Sequence, residues 1–230
     1  MGGAAAARRR RSMERNDGMP MTTPSPVHHA VVLTHPDPDS FCASIARCWA
    51  EEVTAQHQKC EIMDLYREGF DPVLRKAEQP GKPGFAPPPE LLEQSARLRG
   101  IDVLVLVYPI WFGSPPAMMK GYLERVIGIG TSFANGRHHG SPLGNVHLVD
   151  ISTSASSDPW LTEKGIKGSL HTIFDRYIAE VFGAASSDRL HLDNVTNPMD
   201  RARGAFKLAQ VREFAKRTCA DAHARRWARS

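Results

Sequence analysis

The stretch IDVLVLVYP, residues 101–109, decides how the rest of the chain is read. After Asp102 it runs apolar with no alternation, the pattern of a strand buried on both faces of its sheet. Working outward, a helix is predicted from Glu90 to Leu98 before it and another from Pro116 to Gly128 after it. Further upstream lie a first strand in HHAVVLTH (28–35), a helix over Ser40–His57 and a short strand over Cys60–Leu65. Downstream follow the strand NVHLVDIST (145–153), a helix over Leu161–Phe182, a weak strand over Ser187–Leu192 and a helix over Asp200–Arg226. Strand and helix thus alternate five times. That succession calls for an α/β fold: a doubly wound, five-stranded parallel sheet with right-handed crossovers, order 2-1-3-4-5. Residues 66–89 carry too many Pro and Gly for regular structure, and a loop of that length suggests a functional or interface role.

Composition narrows the class. At 41% hydrophobic and 23% charged, the 230 residues are those of an ordinary globular protein. The net charge of +4 sits mostly in residues 1–27, where five arginines face Glu14 and Asp17; 24 basic and 23 acidic residues remain in 28–230. An almost neutral folded part argues against a nucleic-acid partner. The head has no apolar period and ends in a Pro-rich stretch, so residues 1–27 are expected to be a disordered extension and 28–230 the single domain. An arginine run with no apolar segment after it is no secretory signal. A transit peptide or a nucleic-acid arm is the alternative to a dispensable leader, with Met13, Met19 and Met21 as possible starts. Cys42, Cys48, Cys60 and Cys219 show no paired spacing, which implies reduced thiols in a cytoplasmic protein and no metal site. The adjacent pairs His28–His29 and His138–His139 point in different directions on an extended chain and form no chelate. No run of about 18 apolar residues offers a membrane span.

In such a sheet ligands bind beyond the carboxyl ends of the strands, which singles out the loops after strands one, three and four. HPDPDSF (35–41) enters its helix through Ser40, an N-cap beside free backbone N–H groups. It has no glycine, so the dinucleotide and Walker fingerprints are absent. A phosphate held by the helix end, Ser40 and His35 is one reading; a capped helix with Asp37 and Asp39 near its positive end is the other. In PIWFGSPP (109–116), Trp111 and Phe112 follow the most buried strand, where they face a planar cofactor, a dimer interface or the protein's own core. STSASSDPW (152–160) supplies Ser152, Thr153, Ser154, Ser156 and Ser157, hydroxyls for the polar edge of a ring or for solvent.

HPDPDSF, DLYREGFDPVL (64–74), YPIWFGSPPAMMKGYLERV (108–126) and SFANG (132–136) stand in an order that resembles the flavin-dependent NAD(P)H quinone reductases and their azoreductase and modulator-type relatives. The resemblance covers about residues 28–190 and implies a flavodoxin-like fold. It further implies FMN or FAD, with the phosphate on His35, Ser40, Phe41 and Cys42, the ring on Pro109, Ile110, Trp111, Phe112 and Gly113, and its pyrimidine edge at Ser152, Thr153 and Ser154. The family's dimers place the active site at the subunit junction, which implies a homodimer here. This chain departs from the family at Cys42, where asparagine is frequent, at Gly113, where an aromatic is, and at Ser154–Ala155, where glycines are paired. Trp160 and Lys167 occupy the approximate places of the tyrosine and histidine that mammalian members use in hydride transfer.

Two function classes follow. The first is an enzyme that takes two electrons from NAD(P)H onto its flavin and passes them to a quinone or similar acceptor in a double displacement. The second is an ancillary subunit of a membrane potassium efflux transporter, with the basic head and the C-terminal ARRWARS on an anionic surface. A single-electron carrier fits less well, since this chain lacks the acidic character and the Ser/Thr/Gly-rich phosphate loop of such carriers. A hydrolase lacks its GxSxG elbow.

Overall fold

The computed structural model describes residues 25–79, 83–129 and 143–228. Five strands form one parallel sheet: β1 (His28–Leu33), β2 (Lys59–Asp64), β3 (Val103–Pro109), β4 (His147–Thr153) and β5 (Ser186–Leu192). Their order is β2-β1-β3-β4-β5, as the alternation of elements predicts. β3 is buried along its whole length, and so is β4. β5 closes one edge and is largely half-exposed, which is why its apolar signal is weak.

Strand alternation splits the core in two. Val31, Leu33, Val103, Val105, Val107, Val149 and Ile151 face α1 (Phe41–Ala55) and α7 (Arg201–Trp227). There Trp49 meets the edge of Phe214 with ring centroids 5.8 Å apart. Ala30, Val32, Leu104, Leu106, Tyr108 and Leu148 face the other way, toward α2 (Pro89–Arg97), α3 (Ala117–Tyr122) and the segment 158–181.

Two predicted helices are less regular than their sequence pattern implies. Pro116–Gly128 begins as α3 and widens into π-helical turns over Leu123–Ile127. Leu161–Phe182 is broken at Gly165 into α4 (Asp158–Glu163) and α5 (Ile166–Leu170), then runs through π-helical turns (His171–Tyr177) into α6 (Ile178–Val181). The long segment after β2 is tied down in its described part. A Cβ on Gly121 would stand 2.3 Å from the Pro72 carbonyl oxygen, so glycine is what lets that segment lie against α3. Arg125 donates from Nε and Nη2 to the two carboxylate oxygens of buried Glu78, each at 2.7 Å, and also bonds the Asp71 carbonyl. Val27, placed in the head by the sequence reading, is buried, and its carbonyl accepts from Lys59 N. Residues 1–24, SFANG and His138–His139 lie outside the described residues.

Candidate functional site

The carboxyl ends of β1, β3 and β4 open onto a cleft of about 350 Å³, inside the ~300–1,000 Å³ range of small-molecule sites. Its floor is Pro109 and Ile110, with Ile110 N–H donating to the Thr153 carbonyl at 2.7 Å. One wall is the first turn of α1. Ser40 Oγ accepts from Ala43 N at 3.2 Å, a cap that leaves the N–H groups of Phe41 and Cys42 without intrahelical acceptors. Asp37 and Asp39 brace the approach, Asp37 Oδ1 accepting from Asp39 N at 2.9 Å. His35 Nδ1 accepts from Asp37 N at 3.1 Å, and burial lowers the pKa of this imidazole, so its proton sits on Nε2.

The opposite wall is Trp111, whose ring meets the edge of His35 with centroids 5.5 Å apart. Trp111 and Ser114 exchange backbone hydrogen bonds at 2.9 and 3.1 Å around a two-residue tip. Phe112 and Gly113 both have positive φ there, 51° and 81°, the conformation of a type I′ turn and a strained one for Phe112. The turn throws the Phe112 ring wholly into solvent.

The third loop divides its hydroxyls. Thr153 points toward α1 and shares a hydrogen bond with Cys42 Sγ at 3.4 Å; burial pushes that thiol up to about 11. Ser152 points the other way, into an inner cavity of about 10 Å³ that it lines with Tyr108, Asp150, Lys167, Arg189 and His191. That is room for about one water. Ser154 lines the cleft.

These placements sort the residues that the sequence singled out. His35, Ser40, Phe41, Pro109, Ile110, Trp111, Thr153 and Ser154 come together around the cleft. Cys42 does not line the cleft: its thiol is turned into the core, and its backbone N–H belongs to the first turn of α1 beside it. Phe112 and Gly113 stand outside the wall, and Ser152 belongs to the inner cavity. Lys167 also lines that cavity and is ion-paired with Asp158, while Trp160 lies half-exposed on α4 away from both spaces. The sequence reading missed the wall made by Val195, Thr196, Asn197 and Met199 after β5. The carboxyl-end rule would have found it had the loop after the weak fifth strand been inspected as well.

The flavodoxin-like fold family profile matches residues 28–214. The chain belongs to that family. Among curated relatives, the uncharacterized NAD(P)H oxidoreductase YcaK of Escherichia coli is 33% identical over 123 residues, 53% of this chain and 62% of the relative. The chain therefore spans less than two thirds of that protein's length. The mouse ribosyldihydronicotinamide dehydrogenase [quinone] is 23% identical over 157 residues, 60% of this chain and 68% of the relative. Solved structures repeat the architecture. The NAD(P)H:quinone oxidoreductase of Methanothermobacter marburgensis superposes with TM-score 0.71 at 20% identity, covering 83% of this chain and 98% of that one. An FMN-dependent NADH-azoreductase of Bacillus anthracis, in complex with FMN, gives TM-score 0.59 at 15% identity, covering 84% and 99%. At these identities the structural likeness is one of fold.

The cleft's donor set fits a flavin on two counts. Trp111 is 40% exposed along one wall, an aromatic surface left open at the cleft. The first turn of α1 supplies backbone N–H groups for an anion, at the end of a 15-residue helix whose dipole favours one. Among the described residues no cluster of His, Cys, Asp and Glu is arranged to hold a metal, and no helix is long and apolar enough to cross a membrane.

Proposed function

We propose that this protein is a flavin-dependent NAD(P)H oxidoreductase that passes two electrons to a quinone or similar electron-poor acceptor. The observation that carries this reading is the single cleft in which the α1 N-terminus and the Trp111 wall converge beyond the carboxyl ends of β1, β3 and β4. The names of the curated relatives support the reaction class. FMN or FAD, when bound, would supply the two-electron chemistry. The protein's share is binding and orientation: the N–H groups of Phe41 and Cys42 with Ser40 would hold the phosphate, and Pro109, Ile110 and Trp111 would seat the ring. Hydride transfer needs proximity more than an acid, so the distance of Trp160 and Lys167 from the cleft does not count against it.

Donor and acceptor using the same cleft in turn would give double-displacement kinetics. A homodimer is part of the proposal, since a second copy seated on the exposed Phe112 would shield a ring that otherwise stands in water. The transporter-subunit reading loses one support: Arg226 of the basic C-terminal stretch is committed to Asp102 and Ser25. The test is the visible absorption spectrum of the purified protein, reconstituted with FMN or FAD and then given NADPH without oxygen. An oxidised-flavin spectrum that bleaches supports the proposal. A protein that takes up neither flavin overturns it, and intersecting rather than parallel initial-rate lines would overturn the shared-cleft scheme.

A further inference from the structure

Strand alternation puts Asp150 and Ser152 on one face of the sheet, Ser154 follows just past the end of β4, and β5 sets His191 directly opposite Ser152. The imidazole reaches both hydroxyls. Nδ1 lies 3.1 Å from Ser152 Oγ and Nε2 lies 3.1 Å from Ser154 Oγ. Counting protons orients the chain. A serine hydroxyl has one proton, and that of Ser154 goes to the Ser156 carbonyl at 2.8 Å, a group that only accepts. Ser154 Oγ must therefore accept from His191, which places the ring proton on Nε2.

Burial lowers the pKa of His191, so at neutral pH the ring is uncharged and carries that single proton. Nδ1 is then an acceptor, satisfied by the Ser152 hydroxyl. Donation runs one way, from Ser152 to His191 to Ser154 to the Ser156 carbonyl. The Ser154 backbone N–H is also spent, on the Leu192 carbonyl at 3.1 Å. With its proton spent in this way, the hydroxyl of Ser154, a residue of the cleft wall, can offer a ligand there only an oxygen lone pair.

We propose that His191 is a positioning residue that holds Ser154 as a hydrogen-bond acceptor only, so that the cleft wall at this point pairs with a ring N–H and rejects a carbonyl. The inference rests on the flavin reading above and deepens it. The pyrimidine edge of an oxidised flavin carries one N–H, the imide N3–H, between two carbonyls, and an acceptor-only serine selects that atom and so the lateral position of the ring.

Two measurements test it, one of them without flavin. In the apo chain carrying ¹⁵N-labelled histidine, with His191 assigned by difference against His191→Gln, the Nε2–H tautomer is expected; the Nδ1–H tautomer overturns the proposal. In fluorescence titrations, FMN should bind about 3- to 10-fold tighter than N3-methyl-FMN, the value of one hydrogen bond. Ser154→Ala should abolish that preference, His191→Leu should weaken it, and His191→Gln, whose amide donates to Ser154 and accepts from Ser152, should restore it. A preference that survives Ser154→Ala overturns the proposal. If FMN binds none of these proteins, the flavin reading falls and the recognition claim falls with it, while the tautomer stands or falls by the NMR measurement.

Discussion

The two faces of the sheet alternate along the same strands yet are built differently. On the α1/α7 face the strands stay apolar nearly to their carboxyl ends: Val107, Val149 and Ile151 are all fully buried. The helices over it are regular, 15 and 27 residues long. On the other face Leu104, Leu106 and Leu148 give way to Tyr108, Asp150 and Ser152, joined by Arg189 and His191 from β5. The Tyr108 hydroxyl donates to Asp150 at 2.7 Å, and Arg189 and His171 both pair with Asp175. Over this half the helices are short, with π-helical turns at Leu123–Ile127 and His171–Tyr177. The contrast teaches that polar groups under a site come with a less regular cover. Asp175, which pairs with Arg189 and His171, itself lies in one of those π-helical turns.

A carboxylate moved by one residue should break the contrast most sharply. Val149→Asp puts beside Asp150 a charge that faces α1 and α7 with no polar partner, and should cost about 4–5 kcal/mol or more. Loss of cooperative unfolding in urea is expected; a soluble, cooperative variant would show that the apolar face tolerates charge after all.

Next comes the clamp on the cover of the polar face. Arg125→Met leaves the Glu78 carboxylate buried without its partner, a loss of about 3–5 kcal/mol. Arg125→Met with Glu78→Gln should recover most of it, and chemical denaturation of the three variants gives the coupling.

Asp150 sharpens the comparison through pH. Burial raises its carboxyl from 3.8 to about 7, with Asp175 adding to the rise while the Tyr108 hydroxyl and Arg189 oppose it. The folded chain keeps this proton where the unfolded chain has released it, so stability falls as pH rises from 3.8 to about 7. Asp150→Asn retains an acceptor for Tyr108 and should flatten that slope, gaining up to about 3–4 kcal/mol at pH 8 relative to its difference at pH 4. Urea midpoints across that range decide it, and an unchanged slope would place the titration elsewhere.

The smallest effect is at the turn tip. Phe112→Asn relieves a bulky residue in the left-handed region and should stabilise by about 0.5–1 kcal/mol. A rise in Tm together with a shift from dimer to monomer in sedimentation would show that strain is retained for an interface. A rise in Tm with an unchanged assembly would separate the two.

Much of this architecture was legible in the chain, and the residues show why. The unbroken run Val103–Val107 marks a central strand because burial on both faces removes alternation. Ser40, and Asp200 accepting from Arg203 N at 3.0 Å, mark helix starts through their own side chains. The break at Gly165 and the π-helical turns left no comparable mark, since nothing in a 3.6-residue period distinguishes them. The Val195–Met199 wall was hidden by β5, whose half-exposed pattern SSDRLHL looks like a surface strand wherever it is placed.

Within the candidate site the same division holds. The amino-acid sequence by itself determined the parallel sheet, its strand order and the three loops that meet at its carboxyl ends, because apolar period and helix caps are properties of neighbouring residues. Only the tertiary structure decided how the hydroxyls of 152–154 are shared out: Ser152 to an inner cavity and His191, Thr153 to Cys42, Ser154 to His191 and the Ser156 carbonyl. Alternation says that neighbours point apart, but what each one meets depends on α1 and β5, which reach these three residues from 111 positions upstream and 37–39 downstream.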